Sequence, residues 1–84
     1  MRQLLAAVAE FCIGAKTVGH LVILRTTPGA AQHLAALIDG MKLDSLVGSI
    51  AGDDTILLIT SPPDLTPTDS AVTLLHTLGI AGHG

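Results

Sequence analysis

Two stretches of the chain are apolar without interruption, Leu21 to Leu24 (Leu-Val-Ile-Leu) and Ile56 to Ile59 (Ile-Leu-Leu-Ile). A strand with one wet face alternates polar and apolar residues, so unbroken runs of this length predict strands covered on both sides. Around them the pattern predicts four strands. Residues 7–13 and 20–26 flank a loop from Gly14 to Gly19. Residues 46–51 and 55–60 flank the turn Gly52-Asp53-Asp54, whose residue types tolerate the positive φ of a tight hairpin.

Helices are predicted between and after the pairs. Thr27-Pro28 reads as a cap followed by proline at the first helical position, opening a helix from 28 to about 41. Its stripe is Ala31, Leu34, Ala35 and Ile38, and Gly40 lies near its end. Ser61-Pro62-Pro63-Asp64 breaks the last strand. Thr66 and Asp69 then resemble a capping box before a second helix, with stripe Ala71, Leu74, Leu75 and Leu78 and a stop at Gly79. Residues 1–6 read as the remnant of a linker and 81–84 as a frayed tail.

The order strand, strand, helix, strand, strand, helix defines an α+β class: a four-stranded, mainly antiparallel sheet with both helices on one face. That leaves the other face bare. At 84 residues the chain is one domain with a modest core, the size range in which disulfides, metals or partner subunits supply what the core lacks. Cys12 is the only cysteine and the four histidines have no ligand spacing, so neither a disulfide nor a metal is expected, and association is the remaining route.

Composition excludes several classes. Phe11 is the only aromatic residue, which leaves an aliphatic core and no platform for stacking bases. With Arg2, Lys16, Arg25 and Lys42 as the only Lys or Arg residues and a net charge of −3, the chain has no basic face for phosphate. Glu10 interrupts the apolar start that would otherwise read as a signal peptide, and no stretch is long enough to span a membrane, so a cytoplasmic location is expected.

Candidate chemistry collects in three segments: Thr26 to Gln32, Asp39, and Gly48 to Thr55. Seven residues of helix turn by about 700°, so Gln32 and Asp39 share one face about 10.5 Å apart, at the border between core and solvent. An amide, a carboxylate and the pair Asp53 and Asp54 make an acceptor-rich set that suits a cation with several N–H donors, and guanidinium pairs with carboxylates bidentately. The same residues also fit solvated helix positions and ordinary turn carboxylates.

The runs Leu24-Arg25-Thr26-Thr27-Pro28-Gly29-Ala30-Ala31-Gln32, Leu37-Ile38-Asp39 and Val47-Gly48-Ser49-Ile50-Ala51-Gly52-Asp53-Asp54-Thr55-Ile56 resemble the C-terminal domain of bacterial arginine repressors, over about Leu4 to Thr60. The resemblance implies trimers that pair into a hexamer, with L-arginine bound between trimers as co-repressor. By motif it implies Gln32, Asp39, Asp53 and Asp54 as ligand contacts, with weaker roles for Thr26 and Thr55, and one turn Asp from a facing subunit sharing the guanidinium. Which of the two turn carboxylates does so stays open. It also implies control of arginine biosynthesis or catabolism genes through a winged helix-turn-helix domain, which these residues lack; after Thr60 the likeness fades.

Rival readings are a stand-alone small-molecule or trimerisation module, and an enzyme using Asp53 and Asp54 as an acid and base. No nucleophile or oxyanion donor set accompanies the pair, so no enzyme is expected. The sparse cations yield a first prediction: the 84-residue chain alone does not retard operator DNA in a gel-shift assay, and salt-sensitive, sequence-specific retardation would contradict it.

Overall fold

A computed structural model describes residues 1–60 and 67–80, with the backbone alone for 67–70. The elements are helix α1 (Arg2–Phe11), strands β1 (Cys12–Val18) and β2 (Leu21–Thr26), helix α2 (Ala31–Gly40), strands β3 (Leu46–Ala51) and β4 (Thr55–Thr60), and helix α3 (Pro67–Thr77). The sheet is antiparallel throughout, in the order β1-β2-β4-β3, so the two uninterrupted apolar strands are central and the other two are its edges.

The α+β architecture agrees with the sequence reading, with one helix more than expected. Residues 7–10 are not strand, and with 2–6 they are helical. They form α1, because Leu4, Ala7, Val8 and Phe11 recur at i, i+3, i+4 and i+7 and bury or half-bury one helical face. The apolar and polar alternation of residues 7–13 concealed that period. The first edge strand therefore begins at Cys12, Gly14 lies within it opposite Arg25, and the connection shrinks to Gly19-His20, with Gly19 at φ 57°. The expected hairpin of residues 46–51 and 55–60 is present.

Alternate residues of the central strands point into the helical layer. Val22, Leu24, Ile56 and Leu58 are completely buried against Leu34 and Ile38 of α2 and Leu74 and Leu75 of α3. The intervening residues Leu21, Ile23, Leu57 and Ile59 are only half-buried, and on the edge strands Val18 and Ile50 are exposed. The outer face of the sheet is thus apolar and only partly covered among the described residues. Each edge strand also carries a register shift, at Ile13 in β1 and at Val47 in β3, and both of these residues are exposed.

The helix ends follow distinct rules. Thr27 does not cap α2, which starts at Ala31 after Ala30 with no side-chain cap. The carbonyl of Asp53 in the β3–β4 turn accepts the N–H groups of Gly29 (3.1 Å) and Ala31 (3.2 Å) instead. Gly79 (φ 79°) ends the last helix as expected: its N–H donates to His76, and that of Ile80 donates to Leu75. Residue Thr66 and the side chain of Asp69 lie outside the described residues, as do 81–84. At the end of α2 the left-handed position falls to Lys42 (φ 52°), the one non-glycine residue of positive φ among the described residues.

A lysine there carries a Cβ into a conformation that disfavours it by about 1–2 kcal/mol. Lys42→Gly is expected to raise folding stability by about 0.5–1 kcal/mol, since relief of that strain outweighs glycine's extra unfolded-state entropy. Thermal and denaturant unfolding measure it, and a loss of stability would contradict it.

Candidate ligand-binding site

The edge of the molecule formed by α2 and β3 gathers most of the candidate residues. Its organiser is the turn Gly52-Asp53-Asp54-Thr55, closed by the N–H of Gly52 donating to the carbonyl of Thr55 (2.9 Å). Two further backbone contacts set the turn against its surroundings: Asp53 accepts from the start of α2, and Asp54 accepts the N–H of Thr26 at 2.7 Å. The start of α2, and with it Gln32 in the first turn, is therefore tied to the carboxylate-bearing hairpin. Phe11 adds a second tie, since its carbonyl accepts the N–H of Thr27 (2.9 Å) and its ring meets His33 of α2 edge-on at 6.0 Å.

The two turn carboxylates differ in state. Asp54 is already engaged. Its Oδ2 lies 3.4 Å from Nη2 of Arg25, and its Oδ1 accepts the hydroxyl of Thr55 at 3.1 Å. The carboxylate of Asp53 is exposed and has no hydrogen-bond or ion-pair partner among the described residues. Gln32 is exposed in the same way.

At the far end of α2, Asp39 accepts the hydroxyl of Ser49 in β3 (2.8 Å), which joins helix to edge strand. Beside this pair opens a cleft of about 350 Å³, lined by Asp39, Lys42, Leu43, Leu46, Val47, Gly48 and Ser49. Eight residues of helix separate Ala31, which bonds to Asp53, from Asp39, about 12 Å of axis. The candidate set is therefore a strip with a carboxylate at each end, rather than one pocket.

The weaker candidates lie at the turn, and their groups serve the fold. Thr26 is buried, its N–H is given to Asp54 and its hydroxyl to the carbonyl of Thr27 (2.9 Å). Thr55 is half-buried, with its hydroxyl on Asp54. Two neighbours of the candidate set, Arg25 and Lys42, escaped the sequence reading, and Ser49 lay inside the candidate segment 48–55 without an assigned role. Arg25 carried a usable signal, since antiparallel pairing of the two central strands places it beside Thr55 and hence next to Asp54. Cys12 is half-buried, and burial pushes its thiol above the ordinary range. No group of three or more metal-ligating side chains occurs among the described residues, and no described helix is long and apolar enough to cross a membrane.

The described residues form an aliphatic α+β domain with a polar strip along one edge. Residues 8–68 match the family model described as "Arginine repressor, C-terminal domain", so the chain belongs to that family, one of transcription regulators and not of enzymes. Similar proteins include the arginine repressor of Bacillus pumilus (strain SAFR-032), 48% identical over 52 residues, which cover 62% of this chain and 35% of that protein. The arginine repressor of Bacillus mycoides (strain KBAB4) is 50% identical over 60% of this chain and 34% of its own length, and that of Desulfitobacterium hafniense (strain DSM 10664 / DCB-2) is 51% identical over 58% and 33%. The match thus spans about a third of each of these relatives.

The Arg25–Asp54 pair is more than 40% exposed on both sides, which screens it and limits its contribution to stability. Arg25→Gln is expected to change unfolding free energy by less than about 0.5 kcal/mol. A larger change in denaturant midpoint at constant slope would show the pair to be structural.

Proposed function

We propose that this chain is the L-arginine-sensing and oligomerisation domain of a transcriptional repressor of arginine metabolism genes, acting in the cytoplasm. Arginine serves as co-repressor, and DNA is engaged through a separate N-terminal domain of a longer parent protein. The observation that carries this reading is the division of labour at the hairpin turn. Asp54 already holds a guanidinium, that of Arg25, and Asp53, whose carbonyl is bonded to the residue before Gln32, presents an open carboxylate. Asp53 is therefore the residue that receives the guanidinium of the ligand.

The length of the strip supports binding between subunits. An arginine side chain, five bonds from Cα to the guanidinium carbon, reaches about 6 Å, roughly half the axial distance between the ends marked by Asp53 and Asp39. The turn of a facing subunit supplies the second end. The outer sheet face, with Leu21, Ile23, Leu57 and Ile59 half-buried and Ile50 at 65% exposure, provides a separate apolar surface for trimer contacts. Two surfaces of different character suit a trimer that pairs into a hexamer. Gln32 and Asp39 complete the ligand set, and Thr26 and Thr55 act by holding the turn.

Calorimetry and light scattering with arginine, citrulline and lysine test the reading. Citrulline keeps the shape of arginine but carries a neutral urea, so it leaves the Asp53 carboxylate without its counter-charge and is expected to bind about a hundredfold or more weakly. Arginine at a hundred times its Kd is expected to stabilise the assembly by about 2.7 kcal/mol and to favour hexamers. Asp53→Asn abolishes this discrimination. Equal affinity for citrulline, or a monomer at micromolar concentration with and without arginine, would overturn the proposal.

A further inference from the structure

Asp39 is the one aspartate of the chain that is followed directly by glycine. Both residues are exposed, at the last two positions of α2. Neither packing nor backbone calls for a glycine there. A Cβ at residue 40 would meet nothing within 4 Å, and the positive φ at this helix end belongs to Lys42 instead. Within a helix, glycine costs stability relative to alanine. A regular helix also keeps each amide nitrogen hydrogen-bonded and turned away from the preceding side chain, but that protection lapses at the end of α2. The next two bonds, from the N–H of Met41 to Ile38 and from that of Lys42 to Asp39, are both 3.2 Å and span three residues, the tighter winding of a fraying last turn. Among the described residues, one hydrogen bond restrains the side chain of Asp39, from the hydroxyl of Ser49 to Oδ2 at 2.8 Å.

We propose that the Asp39–Gly40 bond is a site of spontaneous covalent modification, at which the main chain isomerises to the isoaspartyl form. This goes beyond the arginine reading and does not depend on it. An unhindered glycine nitrogen next to a carboxyl group is the arrangement that closes most readily to a five-membered imide. The nitrogen of Gly40 bonds to Cγ of Asp39, and one carboxyl oxygen leaves as water with the amide proton and a proton from solvent. Water then adds to the main-chain carbonyl carbon of Asp39, and the bond from that carbon to Gly40 breaks. The chain now runs through Cγ, and the former main-chain carbonyl is the free carboxylate. The water lost in the first step is regained in the second, so mass is unchanged and no other reactant is required. The product has one more methylene in its main chain and its carboxylate directly on Cα. The bond from Ser49 to Oδ2 is lost, and with it the tie between the end of α2 and β3.

Incubation of the whole chain at neutral pH and physiological temperature, followed by tryptic digestion and mass spectrometry, is the test. Residues 26–42 form one tryptic peptide, in which Asp39 is the only aspartate. In the wild type this peptide is expected to resolve with time into two chromatographic forms of identical mass, the new one accepting a methyl group from an isoaspartyl methyltransferase. Asp44, also exposed but followed by Ser45, is the internal control and stays unconverted. Gly40→Ala, which the open space around residue 40 accommodates, abolishes the conversion. Ser49→Ala accelerates it by about threefold to tenfold, the equivalent of one net hydrogen bond. A wild-type peptide that is still a single form when the free peptide Leu37 to Lys42 has largely converted overturns the proposal, as does an unchanged rate in Gly40→Ala or in Ser49→Ala.

Discussion

The carbonyl of Asp53 is the contact on which the arrangement of this molecule turns. The first N–H groups of a helix have no partner within it and must be satisfied by a cap, by water or by another segment. Here the polypeptide has no usable side-chain cap, and the β3–β4 turn supplies a single oxygen to both Gly29 and Ala31. Helix, turn and edge strand thereby become one rigid corner. The second anchor, Ser49 on Asp39, fixes the other end of the same helix to the same strand. Side chains between the anchors inherit their positions from backbone contacts, which is a sturdier basis for a binding surface than a set of exposed side chains acting alone.

How much of this was legible in the sequence depends on the range of the interactions involved. The central strands declared themselves because Leu21 to Leu24 and Ile56 to Ile59 are unbroken apolar runs, and the β3–β4 hairpin because Gly-Asp-Asp between two apolar segments is a turn signal. The α3 stripe and its Gly79 stop were equally local signals. The first helix was missed because Ala-Val-Ala-Glu-Phe fits a period of two nearly as well as one of 3.6, and only packing of Leu4, Ala7 and Val8 against the sheet decides between them. The start of α2 was misplaced for a related reason. A threonine before a proline is a common cap, yet the competing acceptor comes from residue 53, far along the chain and invisible to any local rule.

The site shows the same division. Gln32, Asp39, Asp53 and Asp54 were picked out by residue type and spacing, and the fold puts Gln32 with the turn and Asp39 with β3. What spacing could not tell was the unequal state of the two turn carboxylates. That inequality comes from Arg25, thirty residues away in round terms, whose position follows from strand pairing. Lys42 entered the sequence reading only as one of four cations, because a backbone torsion leaves no mark in composition. The strained φ and the neighbouring Asp39 become visible only once the helix end and the edge strand are placed together.

The register shifts in β1 and β3 have a bearing on how copies of this chain meet. A sheet with two straight, flat edges invites a neighbour to continue its hydrogen-bond ladder, and repetition of that step yields open-ended fibres. Both edges here are bent by an extra residue, Ile13 on one side and Val47 on the other. Lateral growth is thus obstructed at both margins, while the broad apolar face of the sheet stays accessible. In the oligomer proposed above, the apolar face is the surface open to a neighbouring copy, and the kinks at the rims oppose open-ended lateral growth.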